Sequence, residues 1–303
     1  MNEWYFPRGT LAQGPWQTVV DARPGWRHTG LRVGELGGGE LGDGELGDGP
    51  GGGRLDLPAD DRERIVVPVG GPCEVTYTEP GGAPVTVALA GRASVFDGAT
   101  DVVYLGRGTS ASLAGTGTVA VAEARAERSF PARHVRADEV PVEVRGAGAA
   151  TREVRNFGMP GVLEADRIVA CEVITPAGSW SSYPPHKHDE DVPGVESRLE
   201  EIYWFDARPD PAAPGGDDPC GFFTAYSSAA GEIDTCALAR PGDVALVPHG
   251  YHGPAAAPPG YDLYYLNVMA GPGPERSWLI TDDPRHGGVR AAWAQQAEGA
   301  AER

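Results

Sequence analysis

PPHKHDEDVPGVESRLEEIYWF, residues 184–205, places His186 and His188 one residue apart and the pair Glu200 and Glu201 a dozen positions later. Alternate side chains of a strand share a face. On a strand, His186 and His188 therefore point one way and Lys187, the chain's only lysine, points the other. Two imidazoles on one face can chelate one metal ion, and a carboxylate from the next strand with a further imidazole would complete the set. The next strand, LEEIYWF, offers Glu200 or Glu201. These face opposite sides, so one of the two can be a ligand.

The further imidazole is available in RPGDVALVPHGYHGP, residues 240–254. Gly242-Asp243 forms a turn before a strand, and Pro248 and Gly250 shape the turn after it. His249 and His252 are both candidates. A histidine–x–histidine, a glutamate, and then glycine, five residues, proline–x–glycine and histidine resemble the two-part signature of cupin barrels. There, both pieces are antiparallel strands lining one cavity. His252 falls where that pattern puts its last ligand, one residue short of the commonest spacing, and His249 reads as a surface or supporting group. His28 and His134 have no evident partners, and His286 reads as a surface group near a cavity mouth.

Outward from these stretches, helical periodicity is scarce. Short apolar or alternating runs recur between Gly, Pro and Asp: RIVVPV, CEVTYT, PVTVAL, DVVYLG, GTVAVAEA, RIVACEVI, GFFTAYS, DVALVP and DLYYLNVMA. That pattern predicts an all-β sandwich or barrel. The tail RAAWAQQAEGAAER is the best helix candidate. VEVRGAGAATREV divides two halves of similar strand density, so a division is expected there: 1–148 structural, 149–303 bearing the site. The pentads ELGGG ELGDG ELGDG, within about 35–53, have nothing apolar to build a stacked calcium-binding array. They read as a disordered low-complexity insertion.

Composition narrows the partners. The chain has 303 residues and a formal charge of −18, which opposes nucleic-acid binding because phosphates need a basic face. Its positive charge is nearly all arginine, a bias that accounts for scarce lysine. No stretch is long and apolar enough to span a membrane, and the start MNEWYFPRGTLAQG lacks a signal-type apolar run. The four cysteines form no CxxC pair and read as free thiols in a reducing cytoplasm. Extended β edges in an acidic protein suggest a homo-oligomer.

Longer stretches carry a closer resemblance. RNFGMPGVLEADRIVACEVITPAGSWSSYPPHKHD, LEEIYWF, GDVALVPHGYHGPAAAPPGYDLYYLNVMAG and DPRH, with RERIVVPVGGPCEV and GRASVFDGATDVVYLGRGT in the first half, resemble the 5-deoxy-glucuronate isomerases of myo-inositol catabolism. A sister family, the 5-keto-4-deoxyuronate isomerases of pectin breakdown, is similar. The resemblance implies two tandem cupin-type antiparallel barrels with few short helices and a metal in the second. It implies His186, His188, Glu201 (from the run Glu201-Ile-Tyr203) and His252 as ligands of a divalent ion, zinc first, with manganese or iron suited to the same donors. It also implies an aldose–ketose isomerisation of 5-deoxy-D-glucuronate to 5-dehydro-2-deoxy-D-gluconate.

Such chemistry needs a group to move a proton between adjacent carbons, for which Glu200 and Tyr203 are the candidates, with Asp189 and Glu190 behind them. The sugar acid's carboxylate needs a cation, for which Arg155, Lys187 and Arg285 are the candidates. The aromatics Trp180, Tyr183, Trp204, Phe222, Phe223, Tyr264 and Tyr265 are read chiefly as barrel core. The same four ligands also serve cupin dioxygenases, and a non-enzymatic sugar-binding cupin is a third possibility. A DNA-binding segment, which a regulator would carry, is not visible.

Overall fold

The computed structural model describes residues 3–37 and 53–293. Most of the pentad insertion and the end of the predicted C-terminal helix fall outside these residues; of that helix, residues 288–293 are helical. Glu35 and Leu36, assigned to the insertion by composition, belong to the strand Thr29–Leu36 and pair with Thr118 and Gly117. The low-complexity repeat thus begins while the chain is still in the sheet.

The fold is all-β, two antiparallel cupin-type barrels in tandem. Residues from Trp16 to Val135 build a nine-stranded sheet, and most of the remaining chain builds a seven-stranded and a six-stranded sheet. RIVVPV and CEVTYT, read as separate strands, form one strand, Arg62–Thr78. Pro68 cannot donate to a ladder, and the register shifts between Pro68 and Gly70 and again between Gly71 and Cys73. The strand bends there, leaving Gly117–Arg125 and joining Val85–Arg92 and Ser110–Gly115. Bulges are the usual means of such a change of partner.

Strand pairing crosses the expected division at 148/149 in two places. Val142–Arg145 pairs with Arg152–Gly158, in the second half's sheet. The glycine- and alanine-rich stretch between them is the turn of a hairpin, where Gly146 and Gly148 adopt positive φ. Tyr5–Phe6, at the start of the chain, pairs with Val244–Ala245. One apolar cluster runs through both halves, from Ile65, Val102 and Tyr104 to Phe157, Ile168 and Tyr264.

Candidate metal centre

His186 lies on the two-residue strand His186–Lys187, directly opposite His252 on Tyr251–Ala256. His188 follows at the strand's end. Glu201 reaches the same point from Glu200–Pro209, which the neighbours Val244–Val247 and Tyr261–Ala270 flank on both sides. One ring nitrogen of each histidine lies within 4.8 Å of those of the other two. Glu201 Oε2 is 2.8 Å from His188 Nε2 and 2.9 Å from His252 Nε2. All four side chains are buried.

Their protonation follows from the backbone. Nδ1 of His186, His188 and His252 faces the carbonyls of Pro184, Leu199 and Gly250 at 3.2, 3.1 and 3.3 Å. A carbonyl only accepts, so each Nδ1 carries the proton and each Nε2 is left with a lone pair. Two of those lone pairs face a carboxylate at hydrogen-bond range, and acceptors so placed need a cation between them. Burial alone would lower His188, but Glu201 outweighs it and raises its pKa. Burial would likewise raise Glu201, but His252 and His188 hold its carboxyl well below the usual range. Burial and then the neighbouring His252 lower His186. Glu201 Oε1 is buried without a hydrogen-bond partner, and His252 Nε2, though close to Glu201 Oε2, makes no aligned hydrogen bond. Three imidazole nitrogens and a carboxylate, oriented by carbonyls behind them and with donor atoms unsatisfied, fit a divalent ion.

Beside His186 and Glu201 is a cavity of about 130 Å³, also lined by Tyr203 and Ser182. The Ser182 hydroxyl bridges the Tyr203 and Tyr265 hydroxyls at 3.1 Å each. Burial, Glu201 and Tyr265 keep the Tyr203 phenol protonated far above its ordinary range. Larger cavities of about 240 and 420 Å³ are lined by none of the three histidines.

Several expected site residues lie elsewhere. Glu200 turns from the histidines, as strand parity requires, and its carboxylate accepts the backbone N–H groups of Arg27, His28 and Thr29 at 2.7, 2.7 and 3.2 Å. It joins the two halves and does not line this cavity. Arg155, also turned away while Arg152 and Val154 face the cavity, donates to the Val95 and Gly98 carbonyls at 2.6 and 2.5 Å. Arg285 is exposed and forks onto Asp283.

Lys187, only 7 % exposed, is opposite the histidines and donates to Asp189, Glu190 and Glu196 at 2.7, 2.8 and 2.8 Å. It holds together the acidic loop that follows it, and none of Lys187, Asp189 and Glu190 lines the cavity beside Glu201. His249 donates to or accepts no group of the trio; its Nε2 meets the Glu232 carbonyl at 3.1 Å. The residues missed from sequence are Arg145, Arg152 and Arg290, which line the cavity with Trp278. The signal available was parity: Arg152 is two residues from Val154 on the face opposite Arg155.

A tandem β-barrel with a buried His₃Glu cluster on the strands of its second barrel is a cupin. The chain belongs to the KduI/IolB family, whose model matches residues 5–289. It is 46 % identical over 170 residues to a 5-deoxy-glucuronate isomerase of Geobacillus kaustophilus, covering 55 % of this chain and 56 % of that protein. It is 37 % identical over 232 residues to one of Halalkalibacterium halodurans, covering 75 % and 80 %. The chain thus spans little more than half the length of the first of these relatives. A crystal structure of an IolB-like protein from Salmonella typhimurium LT2 superposes with a TM-score of 0.79 at 31 % identity, over 95 % of this chain and 99 % of that one. An oxalate decarboxylase of Lactobacillus farciminis, at 11 % identity and a TM-score of 0.57 over 93 % and 89 %, shares the fold. Among the described residues no helix is long and apolar enough to cross a membrane.

Proposed function

We propose that the protein is a metal-dependent aldose–ketose isomerase converting 5-deoxy-D-glucuronate to 5-dehydro-2-deoxy-D-gluconate, a cytoplasmic step of myo-inositol catabolism. The observation that carries this reading is the convergence of His186, His188, His252 and Glu201 beside a polar cavity in a chain of the KduI/IolB family. Those four residues would hold a divalent ion, zinc on this reading, with manganese or iron suited to the same donors. Bound there, it would supply Lewis acidity, polarising the sugar carbonyl and acidifying the hydrogen on the neighbouring carbon.

The reaction moves one hydrogen between adjacent carbons and one between their oxygens, so atoms and electrons balance without a redox partner. Tyr203, held protonated, is suited to donating a hydrogen bond to a sugar oxygen that gains negative charge. Ser182 and Tyr265 fix the direction of that phenol. Burial of the ligands excludes bulk water, which strengthens each of these interactions.

The test is turnover of 5-deoxy-glucuronate by purified protein before chelation, after it, and after metal is restored. Activity should vanish and return; undiminished turnover by fully stripped protein would sink the Lewis-acid reading. Elemental analysis checks the ligands. His186→Ala, His188→Ala, Glu201→Ala and His252→Ala should each lose the ion, and His249→Ala should keep it.

A further inference from the structure

The cavity beside Glu201 carries more positive charge than its own carboxylates answer. Arg145 and Arg152 are cross-strand partners in the antiparallel pair Val142–Arg145 and Arg152–Gly158. Like charges directly opposed repel. Arg145 donates to Glu143 at 2.8 Å, and Arg290, at the rim, forks onto Asp282. Arg152 has no carboxylate among the described residues: it donates to the Ala150 carbonyl at 3.2 Å and lies over the Trp293 ring at 5.6 Å. Arg290 lies over the same ring at 5.7 Å. Burial, and beyond it repulsion from Arg145 and Arg290, lower the Arg152 pKa. The indole N–H of Trp278, on the same cavity wall, is buried with no acceptor. So Arg145 and Arg290 are each held by a carboxylate, Glu201 of the same cavity is engaged by His188, and Arg152 and a neutral donor are left without an anion.

We infer that Arg152, flanked by Arg145, Arg290 and the Trp278 N–H, forms the subsite that binds the carboxylate of a sugar acid while its carbonyl end faces the histidines. Arg152, the one of the three guanidinium groups without a carboxylate of its own, matches a monoanion, and a guanidinium fork matches the two oxygens of a carboxylate. Arg152 is then the specificity-determining residue that separates uronates from neutral aldoses. This rests on the isomerase reading for the reacting end of the substrate but not for the anion.

Calorimetry separates the two. Metal-loaded protein is titrated with D-glucuronate and with D-glucose, as wild type, R152M, R152K and R290M, with folding and metal content checked in each. Wild type should bind the acid more tightly than the neutral sugar. R152M should weaken acid binding about 10–100-fold, the range of a charge-assisted hydrogen bond, and leave glucose binding and metal content unchanged. R152K should recover part of the loss, and R290M should show a smaller one. Equal binding of glucuronate by wild type and R152M overturns the inference, as does wild type binding neither sugar or an equal loss for both sugars. If R152M behaves as expected and wild type fails to isomerise 5-deoxy-glucuronate, the anion subsite stands and the isomerase reading falls.

Discussion

At the scale of single residues, Lys187 shows how a charge can serve a site without entering it. Its ammonium meets three carboxylates of the loop after His188. Glu196 also accepts the N–H groups of Asp189 and Glu190, and Asp189 accepts from Ser228 and Gly250. Lys187 therefore ties the first histidine strand to the turn that carries His252. Removing one partner of a buried pair costs about 3–5 kcal/mol, so K187M should lose a comparable amount of stability in urea unfolding, more than K187R. The pH dependence has a definite sign. Burial would raise Asp189, but Lys187, Ser228 and Gly250 hold it below the ordinary range. A depressed carboxyl contributes stability above its unfolded pKa of about 3.9, lost as pH falls through the folded value. Wild type should therefore lose stability below about pH 4 more steeply than K187M, measured by denaturation across pH. The pairing of His186 with His188 was legible in sequence because parity within one strand is local, whereas Glu201 and His252, from other strands, were reached through the resemblance and the spacing. The cavity arginines were not legible, because Arg145, Arg152 and Arg290 come from a hairpin and a distant C-terminal helix.

At the scale of elements, the strands found by apolar runs correspond to observed strands, and those missed include some whose polar residues mask the pattern. Gly231–Ala239, GEIDTCALA, carries Glu232, Asp234 and Cys236 on its exposed face, which dilutes its apolar signal. The strand that carries His252, Tyr251–Ala256, depends on a backbone that sequence alone does not display. Gly253 has φ +91°, and a Cβ there would overlap the carbonyl oxygen of Ser182. Ser182 itself holds φ +46° and links Tyr203 to Tyr265. A left-handed conformation costs a side-chain-bearing residue roughly 1–2 kcal/mol before any clash. G253A should therefore lose at least about 2 kcal/mol by denaturant unfolding. On the isomerase reading, kcat should fall more than the metal content does, because Ser182 must shift while the ligand side chains need not. Full metal content with unchanged kcat would show that the Ser182–Tyr203 contact contributes nothing to turnover.

At the scale of the whole molecule, the half with the histidines is not self-contained. Glu172, within its sheet, takes both arms of Arg92 from the other half and the Tyr264 hydroxyl at 2.7 Å. Glu63, from the first half, accepts the N–H groups of Asp166, Arg167 and Ile168 at 2.6–2.8 Å. Tyr5–Phe6 extends the sheet that carries Glu201 by pairing beside Val244–Ala245, and the Tyr5 hydroxyl and Arg8 N–H both reach Asp243. The shared core adds Ile65, Val102 and Tyr104 against Phe157 and Ile168. Losing Arg92 alone takes from the buried Glu172 its closest cation, leaving Arg155 at 3.8 Å and the Tyr264 hydroxyl; breaking such a buried pair costs up to about 3–5 kcal/mol, against a typical total stability of about 5–15 kcal/mol. Residues 137–303 produced alone would lose that pair, the Glu63 cap, the first strand and one wall of the core together. We expect this fragment to keep β-type far-UV circular dichroism, lose the near-UV signal, bind anilinonaphthalene sulfonate and take up no stoichiometric metal. Restoring residues 1–8 in trans should not rescue it, because a two-residue strand cannot replace the Arg92 and Glu63 contacts. A fragment with native near-UV signal and a full complement of metal would show that the second barrel folds by itself, and that the buried charges at the joint only orient the two halves.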